Sequence, residues 1–192
     1  MLPPISTRLL SERLELAAPR ARDVGVYRHA LRKNEEHLRP WMPKPKPGED
    51  PASLPAVATA IARHRREWRR GEAFVFVVRE RSGEGAIIGR VTLFGVMRGV
   101  FQNAHLGYWI AEDKQAHGLT TEAVRRALDF AFGEAALHRV QAAVVPRNTA
   151  SLRVLDKCRF RHEGVAERYL CVAGSWENYA ILAITREEWV TA

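Results

Sequence analysis

The sequence has few of the residues from which metal sites and disulfide frameworks are built. Its 192 residues include two cysteines, Cys158 and Cys171, and seven histidines that form no paired-ligand pattern. No window approaches the apolar length of a membrane span, and the first residues lack the pattern of a signal peptide. We therefore expect no metal site and no membrane association, and we expect a cytoplasmic protein with reduced thiols.

Two common phosphate-binding motifs are also missing. The chain contains neither the G-x-x-x-x-G-K-[ST] loop of many nucleotide-hydrolysing enzymes nor the G-x-G-x-x-G fingerprint of dinucleotide-binding domains. Its hydrophobic content of 46% and charged content of 27% are ordinary for a globular protein. With no internal repeat, low-complexity tract or linker, residues 1–192 are predicted to form a single domain.

Hydrophobic patterning predicts an α/β (α+β) fold with a mostly antiparallel sheet. Seven strands are predicted, at residues 13–17, 73–78, 87–94, 102–111, 138–145, 163–172 and 176–184. Four helices are predicted, at residues 19–34, 53–70, 118–133 and 148–157, and Pro19 suits the first turn of the first helix. His64 lies on the apolar stripe of the second helix, which is typical of a packing residue whose polar atoms are satisfied.

A proline-rich stretch connects the first two helices. Six prolines between Arg39 and Pro55 predict a semi-rigid loop, because proline fixes its own backbone and restricts the residue before it. Trp41 and Met42 stand at the head of this loop. Two interpretations remain open for them, local packing or one wall of a substrate cleft.

The turn at residues 114–123 joins the strand that ends near Ile110 to the third helix. Such a turn directs unpaired backbone N–H groups and the positive end of the helix dipole at one place, which suits a phosphate or pyrophosphate. Gly118 allows ligand oxygens to approach the backbone where a Cβ would intrude. Taken alone, the same pattern is also that of an ordinary strand-to-helix turn.

Three segments together resemble a known family. Residues 115–120 (QAHGLT) resemble a Q/R-x-x-G-x-G/A acetyl-CoA loop, with Thr120 in place of the final small residue. Residues 148–151 (NTAS) and 159–164 (RFRHEG) resemble an N-x-x-S … G-F-x-x-E-G segment, with Arg159 where glycine is usual. In this combination and order, the segments resemble those of the Gcn5-related N-acetyltransferase (GNAT) superfamily, specifically its RimJ/RimL-type ribosomal-protein N-terminal acetyltransferase branch. The resemblance extends from Arg8 to Trp189.

The resemblance implies a GNAT fold, in which a sheet of about seven strands is splayed between strands 4 and 5 and flanked by about four helices. It implies acetyl-CoA as the cosubstrate, held in the opening without a metal. An N–H near Ile110 would stabilise the oxyanion that develops on the thioester. Asn148 would hydrogen-bond the pantetheine arm, or act simply as a helix cap. The residues expected to bind the cosubstrate are Tyr108, Trp109, Ile110, Gln115, Ala116, His117, Gly118, Leu119, Thr120, Thr121, Asn148 and Ser151.

The expected catalytic residues are Ser151, His105 and Glu167. Many family members place a tyrosine seven residues after the asparagine, but this sequence has Leu155 there, so the proton donor becomes Ser151 or a water. His105 replaces a family-typical glutamate and is one candidate base, although it also suits a strand residue facing solvent. Glu167 is the other candidate, and its alternative is an ion pair with a neighbouring arginine.

The acceptor is expected to be a primary amine. A peptide α-amine has a pKa of roughly 7.7–8.0 against roughly 10.4 for lysine, so the lack of an obvious carboxylate base favours a protein or peptide α-amine. A small-molecule amine and a non-catalytic acyl-CoA-binding module remain as alternatives. The net charge of +8 suits a solvated basic surface or proximity to the ribosome, without sequence-specific nucleic-acid binding. Both a monomer and a homodimer are compatible with the sequence.

Overall fold

The computed structural model describes residues 2–172 and 174–190 of the chain. Its strands are β1 (Arg8–Leu10), β2 (Leu14–Ala17), β3 (Phe74–Glu80), β4 (Gly89–Met97), β5 (Asn103–Ile110), β6 (Arg139–Val144), β7 (Arg161–Val172) and β8 (Ser175–Thr185). Its helices are α1 (Val24–Lys33), α2 (Glu35–Leu38), α3 (Leu54–Arg70), α4 (Leu119–Phe132), α5 (Thr149–Lys157) and α6 (Arg186–Val190). Among these described residues, no helix has both the length and the apolar character needed to cross a lipid bilayer.

The strands form one mixed sheet in the order β1-β2-β3-β4-β5-β6-β8-β7. Neighbouring strands are antiparallel except for β5 and β6, which are parallel. The predicted fold class is therefore confirmed, with one strand more than expected. The sequence pattern missed β1 because three residues, of which only Leu9 is buried, are too short to show a period of two.

The sheet opens between β5 and β6, the strands predicted as the fourth and fifth. Their parallel register covers three pairs, from Asn103 opposite Arg139 to His105 opposite Gln141. Beyond that point β5 runs on to Ile110 and β6 to Val144 without pairing to each other. The expected splay is confirmed, and it leaves a wedge with exposed main chain along one side.

Two hydrophobic clusters pack on opposite sides of the sheet. In β3, Phe76 belongs to a cluster with Leu128 of α4, whereas its neighbour Val77 belongs to a cluster with Ile61 of α3. Successive side chains of a strand point to opposite faces, so the two clusters cover the two faces. Helices thus support both strands that border the wedge.

The first long helix begins later than predicted. Pro19 does not lie in its first turn, because a short 3-10 turn at Ala21–Asp23 precedes α1. The Asp23 carboxylate accepts a hydrogen bond from the Arg20 N–H at 2.7 Å and pairs with Arg79 at 2.9 Å. These contacts hold the segment outside the α-helix. The other three predicted helices agree with α3, α4 and α5 to within one residue at each end.

The proline-rich stretch lies at the side of the sheet where α2 ends. A 3-10 turn at Arg39–Trp41 follows α2, and the chain then has no helix or strand until Leu54. This segment agrees with the predicted loop, and it brings Trp41 and Met42 toward the wedge.

Candidate functional site

A cavity of about 1200 Å³ occupies the wedge. One end, here called the cofactor end, is lined by the turn before α4 and by the first turns of α5. The other end, here called the acceptor end, is lined by α2, by α3 and by one face of β4. The cofactor end is formed mainly by main-chain groups, and the acceptor end mainly by side chains.

The turn before α4 presents a run of unpaired main-chain donors. Ala116 and Gly118 have left-handed backbone conformations, with φ of +60° and +77°. Among the described residues, the N–H groups of residues 116–121 donate to no protein acceptor. Successive amides in such a turn, at the positive end of a helix, form a concave site for an anion. The pyrophosphate expected from the sequence has the charge and shape that this site accepts.

Two side chains that the sequence analysis did not single out brace this turn. Arg13 donates to the carbonyl of His117 at 2.9 Å and to the Glu122 carboxylate at 2.7 Å. Ser11 donates to the same carboxylate at 2.7 Å. Burial raises the pKa of Glu122, but the hydrogen bonds from Ser11 and Arg13 outweigh it and hold that pKa below its ordinary value. More than one hundred residues separate Glu122 from both partners, so no local sequence pattern indicates this contact.

Strand β5 directs main-chain groups into the wedge. The N–H of Ala111 donates across to the carbonyl of Ile88 at 2.7 Å. Hydrogen-bonding alternates along an antiparallel pair, so the N–H groups of Tyr108 and Ile110 point away from β4 and toward the wedge. Trp109 and Ile110 are each 8% exposed as whole residues, and their side chains pack in the hydrophobic clusters. These residues therefore offer mainly their backbone, to which an amide-bearing arm can pair like an added strand.

Tyr108 and Ser151 meet across the wedge. The Tyr108 hydroxyl lies 2.8 Å from Ser151 Oγ and donates to the Ser151 carbonyl at 3.0 Å. Burial raises the pKa of Tyr108, so the phenol keeps its proton. Asn148 Oδ1 accepts from the Ser151 N–H at 3.1 Å. The helix-cap alternative for Asn148 is therefore observed, and its side-chain NH₂ remains available to a ligand.

The remaining predicted cosubstrate residues divide into two groups. Gln115, Thr120 and Thr121 line the cavity together with Ala116 and Gly118. His117 is exposed and Leu119 is buried in the core, and neither side chain lines the cavity. These two residues have only their N–H groups to offer a ligand in the cavity. The side-chain nitrogen of Gln115 lies 2.7 Å from His37 Nε2, which connects the turn to α2.

Neither predicted base lies on the cavity wall. The His105 ring lies 5.5 Å from the ring of Phe94, and burial together with the charge of Arg139 lowers the pKa of His105. Glu167 is exposed on β7, in the irregular stretch between Ala166 and Leu170. The structure therefore brings Ser151 to the cavity, but neither His105 nor Glu167.

The acceptor end contains polar residues to which the sequence analysis gave no functional role. His64, Arg90 and Thr92 line it, together with Glu36 and Glu67. The prediction that His64 packs on the apolar face of its helix is confirmed, but the expectation that its polar atoms are satisfied is not. The side chain is 8% exposed, but its Nδ1 has no hydrogen-bond partner within residues 2–172 and 174–190. Burial, with the nearby charges of Arg90 and Arg63, lowers the pKa of His64 to about 4.

The aromatic head of the proline-rich loop forms a further part of the wall. Trp41 and Met42 both line the cavity, in agreement with the cleft-wall alternative. The Arg147 guanidinium lies 5.5 Å from the centroid of the Trp41 ring and pairs with Glu177 at 2.8 Å. This contact connects the loop to the segment after β6.

The two cysteines lie away from the cavity wall. Burial raises the pKa of the Cys158 thiol to about 11, and Cys171 is exposed on β7. Neither cysteine lines the cavity. In the described part of the chain, no three His, Cys, Asp or Glu side chains are grouped so that they could hold a metal ion.

Comparisons with known proteins agree with this geometry. An acetyltransferase (GNAT) domain model matches residues 13–161. The [ribosomal protein uS5]-alanine N-acetyltransferase of Escherichia coli is 30% identical over 95% of this chain and 92% of its own length. A probable N-acetyltransferase of Bacillus subtilis, YjcK, is 43% identical, but the match spans 54% of this chain and 57% of that protein.

A solved structure adds the cosubstrate. Mycobacterium smegmatis RimJ in complex with CoA-disulfide superimposes with a TM-score of 0.89 at 31% identity, covering 98% of this chain and 91% of that one. The free amides of residues 116–121 and the open edge of β5 are the features that a pyrophosphate and an amide-bearing arm require. This chain therefore belongs to the GNAT family, as an N-acetyltransferase that uses acetyl-CoA as its cosubstrate.

Proposed function

We propose that this enzyme acetylates the N-terminal α-amine of a protein, of the ribosomal-protein type, by direct attack within a ternary complex. The observation that carries the proposal is the single cavity, which joins the free amides before α4 to an open acceptor end through the Tyr108–Ser151 pair. The E. coli relative, which matches nearly the whole chain, is named for an alanine of a ribosomal protein.

Each end of the cavity has a defined task in this proposal. The amides of residues 116–121 hold the pyrophosphate, and the N–H of Tyr108 pairs with the pantetheine arm. The N–H of Ile110 donates to the thioester oxygen as negative charge develops there. Ser151 donates its proton to the departing thiolate and regains, through water, the proton that the attacking amine releases. Tyr108 keeps its own proton and orients Ser151 through their 2.8 Å contact.

The attacking amine loses a proton without a dedicated base. A peptide α-amine has a pKa of roughly 7.7–8.0, so a useful fraction is neutral near pH 7.5 and water can accept the proton. The carboxylates of the acceptor end do not dominate its charge, because Glu36 and Glu67 are matched by Arg63 and Arg90. A polycationic acceptor would meet those arginines, which favours a peptide over a polyamine.

Direct transfer is favoured over a covalent acetyl-enzyme. A thiol acts as a nucleophile in its thiolate form, and burial holds Cys158 in the thiol form. Cys171 lies on β7 away from the cavity wall. Among the described residues, no cysteine is thus placed to take the acetyl group first.

The test measures thiol release from acetyl-CoA with peptides that begin in alanine or serine. We expect turnover with a free α-amine and background rates with the same peptides blocked at that amine. Free lysine and spermidine serve as competing acceptors. Faster turnover of spermidine than of every peptide would contradict the α-amine proposal and favour the small-molecule alternative. Equal rates for blocked and free peptides containing lysine would instead indicate a side-chain amine.

A further inference from the structure

Three residues of the acceptor end each carry a buried polar atom to which no described protein group is hydrogen-bonded. These atoms are His64 Nδ1, Arg90 Nε and Thr92 Oγ1, and each has no hydrogen-bond partner in the described part of the chain. All three residues line the cavity, and His64 is 8% exposed. Buried polar atoms are nearly always paired with protein groups, water or a ligand, so three such atoms on residues of one wall favour a polar ligand there.

The backbone arrangement leaves room beside these atoms. Arg90 and Thr92 are two residues apart on β4 and therefore point to the same face. Thr92 lies opposite Gly107 on β5. Gly107 adds no side chain to that face, and a Cβ there would meet the Phe94 ring at 3.4 Å. His64 reaches the same cavity from α3.

In the described part of the chain, Arg90 has no ion-pair partner on this wall. Arg90 donates to the Tyr27 hydroxyl at 3.2 Å, and among the described residues it has no carboxylate partner. The nearby Glu67 pairs with Arg63 at 3.7 Å. His64 is neutral at physiological pH, because burial lowers its pKa to about 4. A half-buried guanidinium without a counter-ion favours an anionic ligand.

We propose that Arg90, Thr92 and His64 form a carboxylate subsite, so that preferred acceptors carry an acidic side chain close behind the α-amine. The inference rests on the proposed function and specifies its substrate class. The guanidinium and the threonine hydroxyl donate to the two carboxylate oxygens, and the neutral imidazole donates from its protonated nitrogen. Selection then depends on charge-assisted hydrogen bonds from side chains of the acceptor end.

The experiment compares matched peptides that begin in alanine and carry aspartate or asparagine at the second, third or fourth position. For the wild-type enzyme we expect kcat/KM to favour aspartate by roughly tenfold or more at one of these positions. In Arg90→Gln we expect that ratio to fall to about one, and in Arg90→Lys to be partly retained. Arg66→Gln removes the same charge from an exposed position outside the cavity, and we expect it to keep the wild-type ratio.

Two results would overturn the inference. One is equal use of aspartate and asparagine peptides by the wild type at every position, and the other is an unchanged preference in Arg90→Gln. Thermal unfolding shows whether Arg90→Gln is folded. If it is not, Thr92→Val takes its place, with an expected severalfold loss of the preference.

The failure of the proposed function gives a different result. If no peptide is acetylated, calorimetry with the CoA-loaded protein measures binding of the same peptides without turnover. Tighter binding of the aspartate peptide that Arg90→Gln abolishes would support the subsite, and equal binding of both peptides would overturn it. The turnover assay and the binding assay thus separate the two claims.

Discussion

The two ends of the cavity are built from different parts of the polypeptide. The cofactor end is mainly backbone, with free N–H groups at residues 116–121 and along β5. The acceptor end is mainly side chains, from α2, α3 and β4. A backbone site depends on conformation and tolerates many side chains, whereas a side-chain site changes with each substitution. One cavity thus combines a binding end suited to a fixed cosubstrate with an end suited to a variable acceptor.

The largest expected effect on kcat comes from substituting Ser151, which lies where the two ends of the cavity meet. We expect Ser151→Ala to lower kcat roughly 100-fold or more, because the thiolate then leaves without a positioned proton donor. The KM for acetyl-CoA should change little, since the amides that hold the pyrophosphate are intact. Steady-state kinetics with an alanine-initiated peptide measure both quantities.

Tyr108→Phe is the matched variant for this pair. We expect a smaller loss of kcat, roughly tenfold, and we expect the double variant to be no slower than Ser151→Ala, because Tyr108 acts by orienting Ser151. Wild-type kcat in Ser151→Ala would show that water protonates the thiolate. Additive losses in the double variant would show that Tyr108 acts independently of Ser151.

The next prediction distinguishes main-chain from side-chain contributions to CoA binding at the cofactor end. Gly118 has φ of +77°, a region that a β-branched residue enters at a cost of about 1–3 kcal/mol. We therefore expect Gly118→Val to weaken CoA binding roughly 50-fold by calorimetry. His117→Ala keeps the N–H and removes only an exposed side chain, so we expect a change below about threefold. Equal losses in both variants would contradict a main-chain site.

The difference between the two ends also explains which parts of the site could be predicted from the sequence. The cofactor end comes from contiguous residues, so the motif at residues 115–120 and the predicted strand and helix around it located the free amides. The strand periodicity likewise located β5 and β6. The acceptor end comes from elements far apart in the chain, and the periodicity of α3 indicated that His64 is buried without showing that Arg90 faces the same cavity.

The same limit applies to the long-range contacts. The Arg13–Glu122 brace and the Tyr108–Ser151 pair join residues 109 and 43 positions apart, which helix or strand periodicity cannot relate. Short or capped segments were also hard to place. The strand β1 has too few residues to show a periodic pattern. The hydrogen bond from the Arg20 N–H to Asp23 makes the first long helix begin later than Pro19 indicated.

The smallest expected effect tests the acceptor end through folding stability. The pKa of His64 is about 4 in the folded protein, against roughly 6.5 in an unfolded chain. Between these values the unfolded state binds more protons, so the stability of the folded state decreases as the pH falls. From pH 7 to pH 5 this amounts to about 2 kcal/mol, which denaturant unfolding can resolve.

We expect His64→Gln to lose this part of the pH dependence, so that its stability relative to the wild type improves on acidification. His29 is exposed, and His29→Gln makes the same substitution at the protein surface. We expect His29→Gln to keep the wild-type slope between pH 7 and pH 5. If the curves of wild type and His64→Gln stay parallel over that interval, His64 is hydrated in solution and the acceptor end is more open to water than the structure shows. Such a result would also weaken the carboxylate subsite, because its hydrogen bonds gain their strength from the exclusion of water.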